Sequence, residues 1–168
     1  MLLWDKVISL PKGRSELQRM VDIRSDIIRD GDSIFVATFQ GNLAKVALPS
    51  GDIQWEKELS VYHTLAMDDR MIYLTDAHYH VWALDKATGE VLWEQDNLAE
   101  RYVGAPVIMD DALVVGDRGG YLHWLNKDTG QIQANYFVGN KIVSDLIVDK
   151  KRIYISTQNG KLSVFKVT

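Results

Sequence analysis

Cysteine is absent from the 168 residues, and with it go disulfide bridges, thiol catalysis and metal sites built on thiolates. Long apolar runs are missing too: none approaches the roughly 18 residues that a membrane-spanning helix needs. The opening stretch MLLWDKVISLPKG has neither a basic start nor a long apolar centre, so it does not read as a secretory signal. Excess charge of one sign is lacking. The formal net charge is -4, with acids and bases interspersed, and the one dense basic run, Lys150-Lys151-Arg152, reads as a turn. That balance argues against a nucleic-acid footprint or a strongly membrane-attracted surface. No segment sustains a 3.6-residue apolar period, which predicts almost no helix.

What the chain does have is a repeat. Residues 83–93 read ALDKATGEVLW: a strand end, a turn from Asp85 to Gly89, and a second strand running into Trp93. Asp85 is suited to accept forward hydrogen bonds from backbone amides and so open the turn. Gly89 is suited to the positive φ that closes it. The same arrangement stands at KVALPSGDIQW, ending on Trp55, and at WLNKDTGQIQA, where Ala134 replaces the tryptophan. Equivalent positions Leu43, Val81, Leu122 and Leu162 are spaced 38, 41 and 40 residues apart. A period near 40 with four short Val/Ile/Tyr/Leu-rich strands per repeat is the signature of propeller blades.

The expected fold is therefore all-β: a β-propeller of four-stranded antiparallel blades, about four of them, half of an eight-bladed ring. Residues 1–168 form one partial propeller domain. Blades run over 26–59, 64–98 and 105–138, and an incomplete three-stranded blade over 145–168. Residues 2–10 resemble the segment that ends each repeat and read as the outer strand of a preceding blade. Met1 thus precedes the tail of a repeat, as expected for part of a longer protein. Three arrangements suit these ends. The 2–10 strand completes the last blade of its own chain, or that of another copy, or the edges stay open and favour association. A half-propeller that self-associates is the preferred reading.

At the same repeat position, Trp4, Trp55 and Trp93, with the turn glycines Gly51, Gly89 and Gly130, are expected to dock neighbouring blades by burying a large aromatic surface. The histidines His63, His78, His80 and His123 lack the partners of a strong zinc motif and read as surface or turn residues. The GDRGG run at 116–120 lacks the Lys-Ser/Thr and helix of a phosphate loop and reads as a hairpin turn. Asp68-Asp69 and Asp110-Asp111 fall where the first hairpin of successive blades turns. Pro11–Ser25 is polar, longer than the other connections, and reads as an exposed loop of the kind that carries function.

The pattern A-x-D-x-x-T-G-x-x-x-W in residues 83–93 resembles the tryptophan-docking repeat of the pyrroloquinoline-quinone-type propeller family. That family includes quinoprotein dehydrogenases and a lipoprotein branch serving the outer-membrane β-barrel assembly machinery. Residues 34–59, 70–76 and, above all, LVVGDRGGYLHWLNKDTGQI at 113–132 are similar to the lipoprotein branch, over nearly the whole chain and corresponding to its C-terminal half. The resemblance implies a non-enzymatic scaffold without a cofactor, at the periplasmic face of the outer membrane. The full-length protein would be lipid-anchored there, through a cysteine this chain does not contain. It implies periplasmic POTRA domains of BamA as partner, and assistance to unfolded β-barrel precursors. The family's contact includes an acidic pair in an inter-blade connection. Asp22 matches its first position and Arg24 stands at its second, so Arg19, Asp22 and Arg24 are the candidate partner-binding residues. The alternative is a fragment of a quinone-cofactor-dependent dehydrogenase. Such an enzyme needs a calcium site and a catalytic carboxylate at the ring centre, and no such set is visible in the sequence.

Overall fold

A computed structural model describes residues 1–10, 26–166 and the strand Asp22–Ile23. Its sheets are all antiparallel. The chain divides into two compact units, Met1–Thr64 and Leu65–Thr168.

The first unit holds one five-stranded sheet: β1 (Asp22–Ile23), β2 (Ile28–Asp30), β3 (Ser33–Phe39), β4 (Asn42–Ala47) and β5 (Ile53–Glu58). Its long strand β3 pairs with β4 on one side, and on the other with β2 at its start and β1 at its end. The stretch Pro11–Ser25, expected as a loop, thus contributes a strand. The reason lies in β3, which runs on through Thr38 and Phe39 past its pairing with β2. The backbone groups left over there are satisfied by Asp22 and Ile23.

Three sheets make up the second unit. One contains β6 (Ala66–Met67), β7 (Met71–Thr75), β8 (Val81–Asp85) and β9 (Val91–Gln95). The next contains β10 (Val107–Met109), β11 (Ala112–Gly116), β12 (Tyr121–Asn126) and β13 (Ile132–Phe137). The last has three strands, β14 (Ile147–Asp149), β15 (Arg152–Ser156) and β16 (Leu162–Lys166). One turn of 3-10 helix, Ala99–Arg101, interrupts the connection from β9 to β10. Each sheet is a meander of sequential strands, the blade pattern of a propeller.

Burial is concentrated in the second and third strands of the two four-stranded meanders, and in β15 of the last. All five residues of β7 are buried, whereas all six of β13 are exposed. Between the first two sheets of this unit lies a cluster of Met71, Tyr73, Val81, Ala83, Trp93, Leu98, Val103, Leu113, Val115 and Leu125. Between the next two lies Met109, Val114, Leu122, Ile142, Leu146, Ile153 and Ile155, with Trp124 and Phe165 packed against it. Alternation along each strand sends one set of side chains to each neighbouring sheet, so apolar residues on both faces are required.

Residues 2–10, expected as a strand, do not form one. A strand needs a hydrogen-bonded neighbour, and none of the described residues ladders with this segment. It is held instead by side chains: Trp4 on the β4–β5 turn, and the Ile8 carbonyl accepting from Asn42 Nδ2 at 3.4 Å.

Candidate interaction surface

Each β-hairpin turn before a final strand is built by local chemistry. Asp85 Oδ1 accepts from the amides of Ala87 and Thr88 at 2.8 and 2.9 Å, and Asn126 Oδ1 does the same for Asp128 and Thr129 at 3.0 Å each. The Thr88 amide, first, and the Ala87 amide hold the Asp85 carboxyl below its ordinary value, against a smaller upward push from desolvation. Gly89 and Gly130 close the two turns at φ 75° and 71°.

Turns of this kind seat tryptophans at Gly130 and at Gly51. The Trp93 indole lies over Gly130, where a Cβ would sit 2.5 Å from ring atom Cε3, and its N–H donates to the Lys127 carbonyl at 2.8 Å. In the first unit Trp4 lies over Gly51 in the same way, and its N–H donates to the Leu48 carbonyl at 2.8 Å. Trp55 faces Phe35, with ring centroids 5.9 Å apart. In the third repeat Ala134 stands opposite Trp124 across β12 and β13. The equivalent cross-strand pairs are Ala83 with Trp93 and Lys45 with Trp55. The large aromatic has therefore moved to the neighbouring strand, where it packs against the cluster between the last two sheets.

A second recurring position has the polar side chains Thr38, Asp76, Asp117 and Thr157, all buried. Each lies at the turn after the second strand of its repeat. Thr38 Oγ1 accepts from the Asn42 amide at 2.8 Å. Asp76 accepts from the amides of His78 and His80 and from Trp82 Nε1. Asp117 accepts from the Tyr121 amide and from His123 Nε2, each at 2.8 Å, and from Arg101 Nε. Burial pushes the Asp117 carboxyl up. The hydrogen bonds from His123 and Tyr121 and the Arg101 guanidinium outweigh that push and leave it below its usual value. His123, expected at the surface or in a turn, is buried at 4% exposure on β12. It is tolerated there because the Asp117 carboxylate gives its ring a partner.

The turn acids behave similarly. Asp68 accepts from the Arg70 and Met71 amides and from the Tyr73 hydroxyl, and Lys127 pairs with it at 3.6 Å. Desolvation raises its carboxyl, and these donors together bring it below its ordinary value. Burial, then the Asp68 charge, drives the Tyr73 phenol well above its normal range.

The connection between β9 and β10 lies across two of these turns within the second unit. Thr75 Oγ1 donates to the Gly104 carbonyl at 2.7 Å, the Gly104 amide to Gly116 at 2.9 Å, and the Arg118 amide to Arg101 at 3.2 Å. At this surface Tyr79 and Tyr102 meet edge to face, with centroids 4.9 Å apart, and the Arg118 guanidinium lies 5.3 Å from the Tyr102 ring. No sequence signal singled out these three residues, although Tyr79 breaks the repeat.

Of the candidate partner residues, Arg19 and Arg24 lie outside the described residues. Asp22 is placed by its backbone, opposite Phe39 in the β1–β3 ladder, and Phe39 in turn contacts Tyr62 with ring centroids 4.2 Å apart. Among the described residues, no three His, Asp or Glu side chains converge as a metal-binding group.

A sequence model of the family described as outer membrane protein assembly factor BamB matches residues 1–95 and 80–168. The chain belongs to the BamB family. The BamB of Legionella pneumophila is 34% identical over 167 residues, covering 99% of this chain and 44% of its own length. The crystal structure of BamB from Moraxella catarrhalis superposes with a TM-score of 0.89 at 26% identity, over 98% of this chain and 49% of that one. The chain thus spans less than half the length of the curated BamB it matches. A quinohemoprotein alcohol dehydrogenase from Comamonas testosteroni superposes over 69% of this chain and 21% of its own, with a TM-score of 0.60 at 17% identity. That likeness shows the propeller fold alone.

Proposed function

We propose that this chain is part of a non-enzymatic scaffold for outer-membrane protein assembly, acting at the periplasmic face of the outer membrane. The scaffold binds the periplasmic POTRA domains of BamA and helps β-barrel precursors to insert. One observation carries the reading: an outer membrane protein assembly factor aligns with 99% of the chain. The chemistry fits a scaffold. The carboxylates of Asp68, Asp76, Asp85 and Asp117 are each engaged in closing a turn. A rigid array of capped turns and short connections presents side chains at low entropic cost to a partner.

Asp22 is the candidate contact whose backbone is fixed, by its ladder with β3. The test is a calorimetric titration of BamA's periplasmic domains into the intact cellular protein, with Arg19→Glu and Asp22→Lys as variants. Saturable binding weakened about tenfold by either reversal is expected, a loss of about 1.4 kcal/mol. No binding by the intact protein overturns the reading. Unchanged binding in both variants removes this connection from the contact.

A further inference from the structure

Two bulky residues of the second unit hold left-handed backbone. Tyr79 has φ 67° and Tyr102 φ 55°. The position of Tyr79 is filled in the next two repeats by Gly120 at φ 85° and Gly160 at φ 74°, the residue for which this conformation is free of strain. Each tyrosine costs on the order of 1 kcal/mol there relative to glycine. Part of the Tyr79 ring packs on the cluster between β6–β9 and β10–β13. Burial does not account for Tyr102, which is 46% exposed and meets Tyr79 edge to face.

Charge completes the patch. Of the two arginines at this surface, Arg101 is committed to the buried Asp117 carboxylate. Arg118 is exposed, lies over the Tyr102 ring, and pairs with no carboxylate among the described residues. A guanidinium stacked on a ring keeps its N–H fork free in the plane, aimed at a planar anion. The backbone beneath is fastened by the Arg118–Arg101 and Gly104–Gly116 hydrogen bonds, so little ordering remains to be done on binding.

We propose that Tyr79, Tyr102 and Arg118 form a docking site for an extended peptide segment in which an aromatic side chain stands next to a carboxylate. The partner's ring packs against the tyrosine pair and its carboxylate takes the Arg118 fork. This site shares no residue with the connection that contains Asp22 and does not depend on which assembly partner that connection meets.

The test is an NMR titration of the isotope-labelled chain with the capped tetrapeptide Gly-Phe-Asp-Gly, against the same peptide with Asn in place of Asp. Saturable shifts at Tyr79, Tyr102 and the Arg118 side chain are expected, with a Kd of about 1 mM. The Asn peptide should bind roughly fivefold more weakly, the loss of one charge-assisted pair near the surface. Arg118→Gln should abolish that discrimination. Tyr102→Gly, which suits the left-handed backbone, should weaken both peptides. Equal affinity for the two peptides, shifts located elsewhere, or no saturation up to about 10 mM each overturns the proposal.

Discussion

Gly130 carries two constraints at once, and they are separable. Its φ of 71° disfavours any side chain, and a Cβ would come within 2.5 Å of the Trp93 ring. Gly160 has the same kind of backbone, φ 74°, with nothing within 4 Å. Gly160→Ala should therefore cost about 1 kcal/mol, the left-handed penalty alone. Gly130→Ala should cost about 3 kcal/mol, because the indole must also move off its seat and strain its bond to Lys127. Urea unfolding of both variants checks the difference. Asp117 gives a pH-dependent case. Its carboxyl is held below the ordinary 3.8, so its stabilising contribution is complete above that pH and is lost as pH falls through the lower folded value. Asp117→Asn should destabilise by about 2 kcal/mol at pH 7, less than a fully buried pair because Arg101 is partly solvated. The gap to the unmodified chain should narrow steadily below about pH 4, as read from thermal melts across that range.

At the scale of the element, the paired strands β12 and β13 show that a docking aromatic can change strand without changing the sheet. Trp124 faces Ala134 where β8 and β9 pair Ala83 with Trp93. In all three sheets the register shifts beside this pair, after Lys45, Ala83 and Trp124. Trp124→Ala should cost about 2–3 kcal/mol, the lower part of the range for tryptophan because the ring is half-buried. Adding Ala134→Trp should recover part of that, since the second sheet already accommodates the reverse pair. Guanidinium melts of the single and double variants settle it, and full additivity of the two changes would show that the positions do not substitute for each other. The sequence showed Ala134 as a missing tryptophan. Its counterpart was hidden because strand alternation says which face a residue takes, but not which residue stands opposite across a bulge.

For the whole molecule, what was legible is what is local. Asp85, Asn126, Gly89 and Gly130 build their turns from atoms three or four residues away, so spacing alone exposed the strand meanders. What was not legible depends on contacts between repeats. The His123–Asp117–Arg101 cluster joins β12 to a connection 16 residues before Asp117. Tyr79 and Tyr102 meet across an intervening strand pair. Residues 2–10 match the sequence of a final strand, yet sequence cannot supply the neighbour that makes one. The tryptophan-on-glycine contact has a further consequence. One repeat donates the ring and the next supplies its seat, as Trp93 and Gly130 do. Such a joint has a direction, like a hook and its eye. A gene duplication copying residues 64–98 in tandem would bring a new hook, Trp93, together with Gly89, which has the same turn position and left-handed backbone as the eye Gly130. A duplicate of 105–138 would bring the eye Gly130 but no hook, because its tryptophan sits on the other strand. The second repeat is thus a ready template for lengthening the array, and the third is a natural place for such growth to stop.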